Sequence, residues 1–296
     1  MIRLRTILVS IVLGVAASAV AVRVCAQEAS PTPSPAATVA PTTTPTSSGL
    51  HLRLTPYVWV PTFNGSFQFH HPSLPPGSIS ITSVGVQVGP NSYLSKLNSA
   101  IELTAEADDA HSVVFGDVIY INASNTNARV FDLGGPLGHL TFPVNSSTSA
   151  RFTTTLATVG IGPQILGNGL NSEATAFVGL RYVDVSATAG WTLTGPLGRF
   201  PRTGNAAESE NDLAGIVGAR ARLGLGSGWF VPLYADYGGS GDLTTYQWAA
   251  GIGHSYHSGA QILLWRQLGY IGNTGNSTFI QTLHMGGPAF AWSFYL

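Results

Sequence analysis

The sequence is short of charge. Only 9% of its 296 residues are Asp, Glu, Lys or Arg, against roughly a quarter in ordinary soluble domains, so something other than a charged shell must meet its surroundings. Lysine occurs once, at Lys96, and no Lys/Arg run or stripe exists, which excludes the electrostatic footprint of a nucleic-acid binder. Cysteine also occurs once, at Cys25. Because that residue lies in an N-terminal segment read below as removed, internal disulfides, zinc-thiolate sites and thiol catalysis are excluded. Beyond the N-terminus there is no uninterrupted apolar run near the ~20 residues that a membrane-spanning helix needs.

What is present is apolar and unsuited to helices. Hydrophobic residues make up 44% of the chain and mean hydropathy is +0.22, while 35 Gly and 18 Pro work against long helices. Together these describe a β-rich protein whose exterior does not face water.

The first residues have the form of an export signal: Arg3 and Arg5, an apolar core from Ile7 to Val22, and Val24-Cys25-Ala26 as a cleavage site before Gln27. Arg23 and Val24 occupy positions where a lipid-anchored cysteine expects small residues. Removal of residues 1–26 takes away Arg3, Arg5 and Arg23, leaving ten basic against fourteen acidic side chains. Residues 27–50, rich in Pro, Thr and Ser, cannot bury enough apolar surface to offset the entropy of ordering. They are expected to form a disordered tether in the periplasm.

From residue 51 to 296 the chain shows segments of about ten residues with apolar side chains at every second position. They run at about 51–60, 99–107, 111–121, 149–161, 174–186, 212–223, 229–238, 244–256, 259–270 and 280–296. Nine to eleven residues is the length of a tilted transmembrane strand. Alternate connections are short, at 108–110, 166–173, 224–228 and 257–258, and the others are mostly longer. The expectation is an all-β protein, a closed antiparallel transmembrane barrel of about ten strands with eight as the alternative. Its short turns would face the periplasm and its longer loops the outside.

Alternation also sorts the charges. Arg220 and Arg222 share a face of their strand with Ile216 and Gly218, and an arginine facing lipid at mid-membrane costs about 2–4 kcal/mol; both are therefore expected inside. The same parity places Glu102, Glu106, Asp117, Arg181, Asp236 and Arg266 in the lumen. Four acids then balance four arginines. They serve either as a salt-bridged filling that braces a narrow barrel or as the lining of a polar pathway.

In the last strand Phe290, Trp292, Phe294 and Leu296 alternate with Ala289, Ala291, Ser293 and Tyr295, and this pattern looks like the C-terminal signal read by outer-membrane barrel assembly machinery. Tyr57, Trp59, Tyr120, Tyr182, Trp229, Tyr237, Trp248, Tyr256 and Trp265 lie toward strand ends, as expected of aromatic girdles.

The order of Thr55-Pro56-Tyr57-Val58-Trp59, Gly116-Asp117-Val118-Ile119-Tyr120, Val178 to Asp184, Ile216 to Arg222, Tyr234 to Gly239, Trp248 to Gly253 and Met285-Gly286-Gly287-Pro288 resembles the outer-membrane β-barrel proteins of Gram-negative bacteria without assigned activity. That resemblance implies the fold and the outer-membrane location and brings no catalytic residues. Histidine and serine candidates for a barrel hydrolase are His254 and His257 with Ser255 and Ser258, or His284 with Asp184, Asp212 or Asp242. None has a spacing that fixes a pair. His70, His71 and His111 lack a second ligand set at metal spacing. The expectation is a non-enzymatic barrel without metal or cofactor, either structural or a minor pore, with surface binding through its outer loops as the alternative. Its expected partners are lipid, the assembly machinery, and small solutes or an extracellular ligand.

Overall fold

A computed structural model describes residues 50–68, 83–94, 97–109, 111–125, 146–168, 172–193, 202–273 and 279–296. The expected leader and all but the last residue of the expected tether lie outside them. Twelve strands form one antiparallel sheet: β1 (His51–Trp59), β2 (Thr62–Gln68), β3 (Ser83–Val88), β4 (Leu97–Asp108), β5 (Ser112–Asn125), β6 (Ser146–Asn168), β7 (Ser172–Leu193), β8 (Arg202–Gly226), β9 (Trp229–Gly239), β10 (Leu243–Tyr256), β11 (Gly259–Gly272) and β12 (Ile280–Tyr295), with a four-residue helix α1 (Pro90–Tyr93) before β4. Among the described residues no helix is long and apolar enough to cross a membrane.

Ten of these strands, β1 and β4 to β12, close on themselves because β1 pairs with both β4 and β12. Closure leaves no open edge in the wall, as a sheet in hydrocarbon requires. β1 begins and β12 ends at one end of the barrel, where Leu296 N–H donates to Leu52 O at 2.9 Å. That end also carries the short turns. In one of them Gly226, Ser227 and Gly228 all have positive φ, of 89°, 51° and 81°, a run that glycine makes possible.

β1 and β2 lie end to end along β12. Val60 N–H donates to Pro288 O at 3.0 Å across the join, and Pro56, with no N–H of its own, is the last β1 residue paired with β4. Above that point β1 loses β4 as a neighbour, and β2 pairs with β3 instead. The β2–β3 hairpin falls in a stretch expected to be loop; the alternation of Phe63, Gly65 and Phe67, all buried, is the signal that marks it.

β6, β7 and β8 are 23, 22 and 25 residues long, about twice what a membrane crossing needs, and they extend well beyond the expected ends at 161, 186 and 212. Their added portions, such as Thr203 to Asn211 and Ser146 to Thr148, carry little apolar alternation in the sequence.

On the outside of the wall Val58, Ile101, Leu180, Val217, Leu233, Leu263 and Phe290 are exposed all round the barrel. Monomeric soluble proteins do not present continuous apolar belts of this kind; the exterior is that of a transmembrane barrel. Trp229, Tyr237, Trp248, Tyr256 and Trp265 also face outward, in keeping with girdles. Tyr57 and Trp59 do not: Trp59 is buried and Tyr57 bonds to interior charges. On β1 the outward parity belongs to Leu52, Leu54 and Val58, so the residues between them turn inward.

Candidate functional site

The interior is stratified along the barrel axis. At the long-loop end it is filled by apolar side chains. Ile119, Ile121, Leu156, Val183, Val185, Leu243, Leu268, Leu283 and Met285 are buried there, joined by Trp59, Phe63 and Phe67 from the β1–β2 ribbon. Phe63 packs edge-on to Phe152 on β6 with ring centroids 5.3 Å apart. The apolar layer therefore joins walls that are far apart in the sheet order.

Below it lies the charged layer. Arg181 donates from both terminal nitrogens to Asp236, at 2.8 and 2.5 Å, from Nε to the Thr158 hydroxyl at 3.2 Å and from one terminal nitrogen to the Thr245 hydroxyl at 3.1 Å. Arg266 donates to Asp117 Oδ2 at 2.6 Å and to the Tyr57 hydroxyl at 2.7 Å, while the hydroxyls of Tyr57 and Thr104 donate to Asp117 Oδ1 at 2.7 and 2.8 Å. Gln247 joins the two ion pairs. Its Oε1 accepts from Arg181 at 3.2 Å and from Arg266 at 3.0 Å. Glu102 accepts the backbone N–H of Trp59, a donor left without a β4 partner where the two strands part. Each buried charge of this layer thus has hydrogen-bond partners, though Nε of Arg266 has none; such pairing is the condition for keeping ions in an interior.

An aromatic group of Phe115, Phe177 and Tyr234 flanks this layer, with Phe115 edge-on to Phe177 at 5.0 Å. Toward the short-turn end the lumen then widens into a cavity of about 220 Å³. Arg220 pairs there with Glu106, and Arg53 reaches Glu106 and Glu173 at 3.5 and 3.6 Å. Arg222 bonds to Ser255 and Tyr295.

The eight charges singled out by alternation all lie at inward positions. Six join the two central pairs and Glu106–Arg220, Glu102 holds a backbone N–H, and Arg222 stands at the mouth without a carboxylate in ion-pair range among the described residues. Arg53, Tyr57 (read from the sequence as a girdle aromatic) and Gln247 were not singled out as interior polar residues. Inward parity on β1 would have found the first two, whereas Gln247 carries no charge for a search of ions to notice. Phe290, Trp292, Phe294 and Leu296 are exposed on the outer wall.

Among the described residues the candidate histidines are not brought into a pair with the candidate serines or aspartates. His254 sits between Trp229 and Tyr256 on the outer wall, with ring centroids 4.8 and 4.7 Å away, whereas Ser255 turns inward to Arg222. His284 Nδ1 meets the Tyr246 hydroxyl at 3.1 Å, and Asp212 accepts from Ser240 at 2.7 Å. In the part of β8 beyond its pairing with β9, burial pushes the Glu210 carboxyl above its ordinary range, against the pull of the Ile280 N–H that it accepts at 2.7 Å. Among the described residues no group of three or more His, Cys, Asp or Glu is arranged to hold a metal ion. His70 and His71 lie outside the described residues.

No protein-family model matches the sequence, and no curated protein matches it either. Solved structures with a similar course of chain include the outer membrane protease OmpT of Escherichia coli, at 9% identity and a TM-score of 0.45, covering 84% of this chain and 98% of that one. The attachment invasion locus protein Ail of Yersinia pestis matches at 8% identity and a TM-score of 0.30, over 83% and 99% of the two chains. The translocator domain of the autotransporter NalP of Neisseria meningitidis matches at 10% identity and a TM-score of 0.28, over 84% and 90%. These likenesses concern the fold, and no residue role follows from them.

Proposed function

We propose that the protein is a non-enzymatic integral barrel of the outer membrane whose interior is closed to through-passage, so that its role is structural rather than that of a pore. The observation that carries this reading is the apolar filling at the long-loop end, from Ile119 and Val183 to Leu283 and Met285. Among the described residues this layer sets apolar side chains in the way of ions and hydrophilic solutes, and the charged layer beneath holds its carboxylates and guanidiniums in mutual bonds. In this orientation the short-turn end and its cavity face the periplasm, as does the N-terminal tether. Liposomes loaded with this barrel should not swell in iso-osmotic arabinose, where porin-loaded liposomes do; swelling at a rate proportional to the protein incorporated would refute the reading.

A second reading, surface binding, is supported by the length of β6, β7 and β8. A ribbon that continues past the lipid band offers a binding face outside the cell. Replacing residues 187–208 by a short turn should then abolish any adherence that the protein confers on a non-adherent bacterial host, while heat-modifiable gel migration is kept.

A further inference from the structure

The cavity at the short-turn end is smaller than the ~300–1,000 Å³ of sites that take drug-sized molecules, at about 220 Å³, and so suits a small metabolite. Its wall carries Arg53, Arg220, Arg222 and Arg266 together with Glu106, Asp108, Asp117 and Glu173, so the formal charges cancel. The bonds among them do not use every atom. Glu106 takes both Arg220 and Arg53, and Glu173 takes Arg53. Arg222 is held only by neutral groups among the described residues: its terminal nitrogens donate to Tyr295, at 3.2 Å, and to Ser255, while its guanidinium lies 3.8 Å over the Phe230 ring. Asp108 has its Oδ2 3.5 Å from His51 at the rim.

Three buried polar atoms at this mouth have no protein partner: Nε of Arg53, Nε of Arg222 and Oδ1 of Asp108. Unmatched buried polar atoms are costly, and few are tolerated without a reason. The two donors gather around one residue, since the Arg53 guanidinium lies over the Tyr295 ring at 5.5 Å and Arg222 bonds to the Tyr295 hydroxyl. Those three atoms are themselves enclosed, so a ligand would meet the cavity-lining parts of the same side chains: a carboxylate would accept from the guanidinium groups, and an ammonium on the same molecule would face Asp108. A simple anion would leave Asp108 unmatched and add a negative charge to a neutral wall, and a simple cation would do the opposite. Phe230, Pro232, Ile262 and Ala291 supply apolar wall for a short hydrocarbon body.

We infer that this cavity binds a small zwitterion, of the class of free α-amino acids with an aliphatic side chain. That the site faces the periplasm rests on the reading of the preceding section; the binding itself does not. The test is equilibrium dialysis of the full-length folded barrel in detergent micelles against L-leucine, 4-methylpentanoate, which lacks the ammonium, and isoamylamine, which lacks the carboxylate. Leucine should bind one per barrel, and each analogue should bind at least about tenfold more weakly. Arg222→Met and Asp108→Asn should each weaken leucine binding by a similar factor while heat-modifiable migration stays unchanged. If Arg222→Met disturbs folding, the Asp108→Asn variant and the three-ligand comparison still decide. Absence of leucine binding at millimolar concentration, 4-methylpentanoate binding as tightly as leucine, or unchanged binding in a folded Arg222→Met would each overturn the inference. A barrel that passes arabinose yet binds leucine would refute the closed-interior reading and support this one, and a sealed barrel that ignores leucine would do the reverse.

Discussion

Arg181 on β7 and Asp236 on β9 are joined by two parallel hydrogen bonds, although β8 lies between their strands. The β8 residues beside them are small: Ala214 pairs in register with Arg181, and Gly218 with Asp236. A side chain at Gly218 would place its Cβ 2.8 Å from the Asp236 Cβ. The bridge therefore depends on β8 leaving room beneath it.

With side chains 1% and 0% exposed, this pair should behave as a buried ion pair. Asp236→Ala leaves the Arg181 charge inside without its partner and should destabilise the folded barrel by about 3–5 kcal/mol. The double variant Arg181→Met with Asp236→Leu removes both charges and should recover most of that loss. Urea unfolding of the barrel in lipid bilayers measures both.

The outer wall gives a complementary prediction. Val217, 60% exposed on β8, alternates with inward Ile216 and Gly218, and Val217→Arg should cost about 2–4 kcal/mol in a bilayer. Arg220, three residues along on the inner side, is tolerated because it meets Glu106. A Val217→Arg barrel as stable as the wild type would mean that this face does not meet lipid.

Gly253 supports the shelf on which Arg222 rests. A Cβ there would come 2.3 Å from the Phe230 ring, so Gly253→Val should displace the ring and destabilise by about 1–3 kcal/mol, as overpacking does. Adding Phe230→Ala should remove the clash. Non-additivity of the two changes in a double-mutant cycle is the expected signature.

The terminal strand separates assembly from stability. Phe294 is exposed on the outer wall, so Phe294→Ser loses a lipid contact without touching the interior. If the strand is also the signal read by the assembly machinery, this variant should accumulate unfolded in cells yet refold from urea into detergent with near wild-type yield. Normal accumulation in the outer membrane would remove the signal role from Phe294.

Much of this architecture was legible in the sequence because lipid imposes a strict alternation. The ten wall strands, the short turns and the inward direction of residues such as Arg181 and Asp236 all follow from the rule that outward positions are apolar. Two parts were not legible. Beyond the lipid band the rule lapses, so the extensions of β6 to β8 read as loops. Which inward charge meets which depends on cross-barrel distance, and the neutral link through Gln247 depends on it too. The filling of the long-loop end was in principle visible as inward apolar residues, Ile119, Val183 and Leu283 among them, but the charges beside them drew attention to a polar lumen.

Single-channel recording in a planar lipid bilayer tests the closed interior most directly. The purified full-length barrel should insert without producing discrete current steps under an applied potential in molar potassium chloride, since in the reading proposed above the apolar layer from Ile119 to Met285 closes the axis. Reproducible steps from the wild-type protein, altered by Arg220→Ala or Asp236→Ala, would show an ion path along the charged interior and contradict the account.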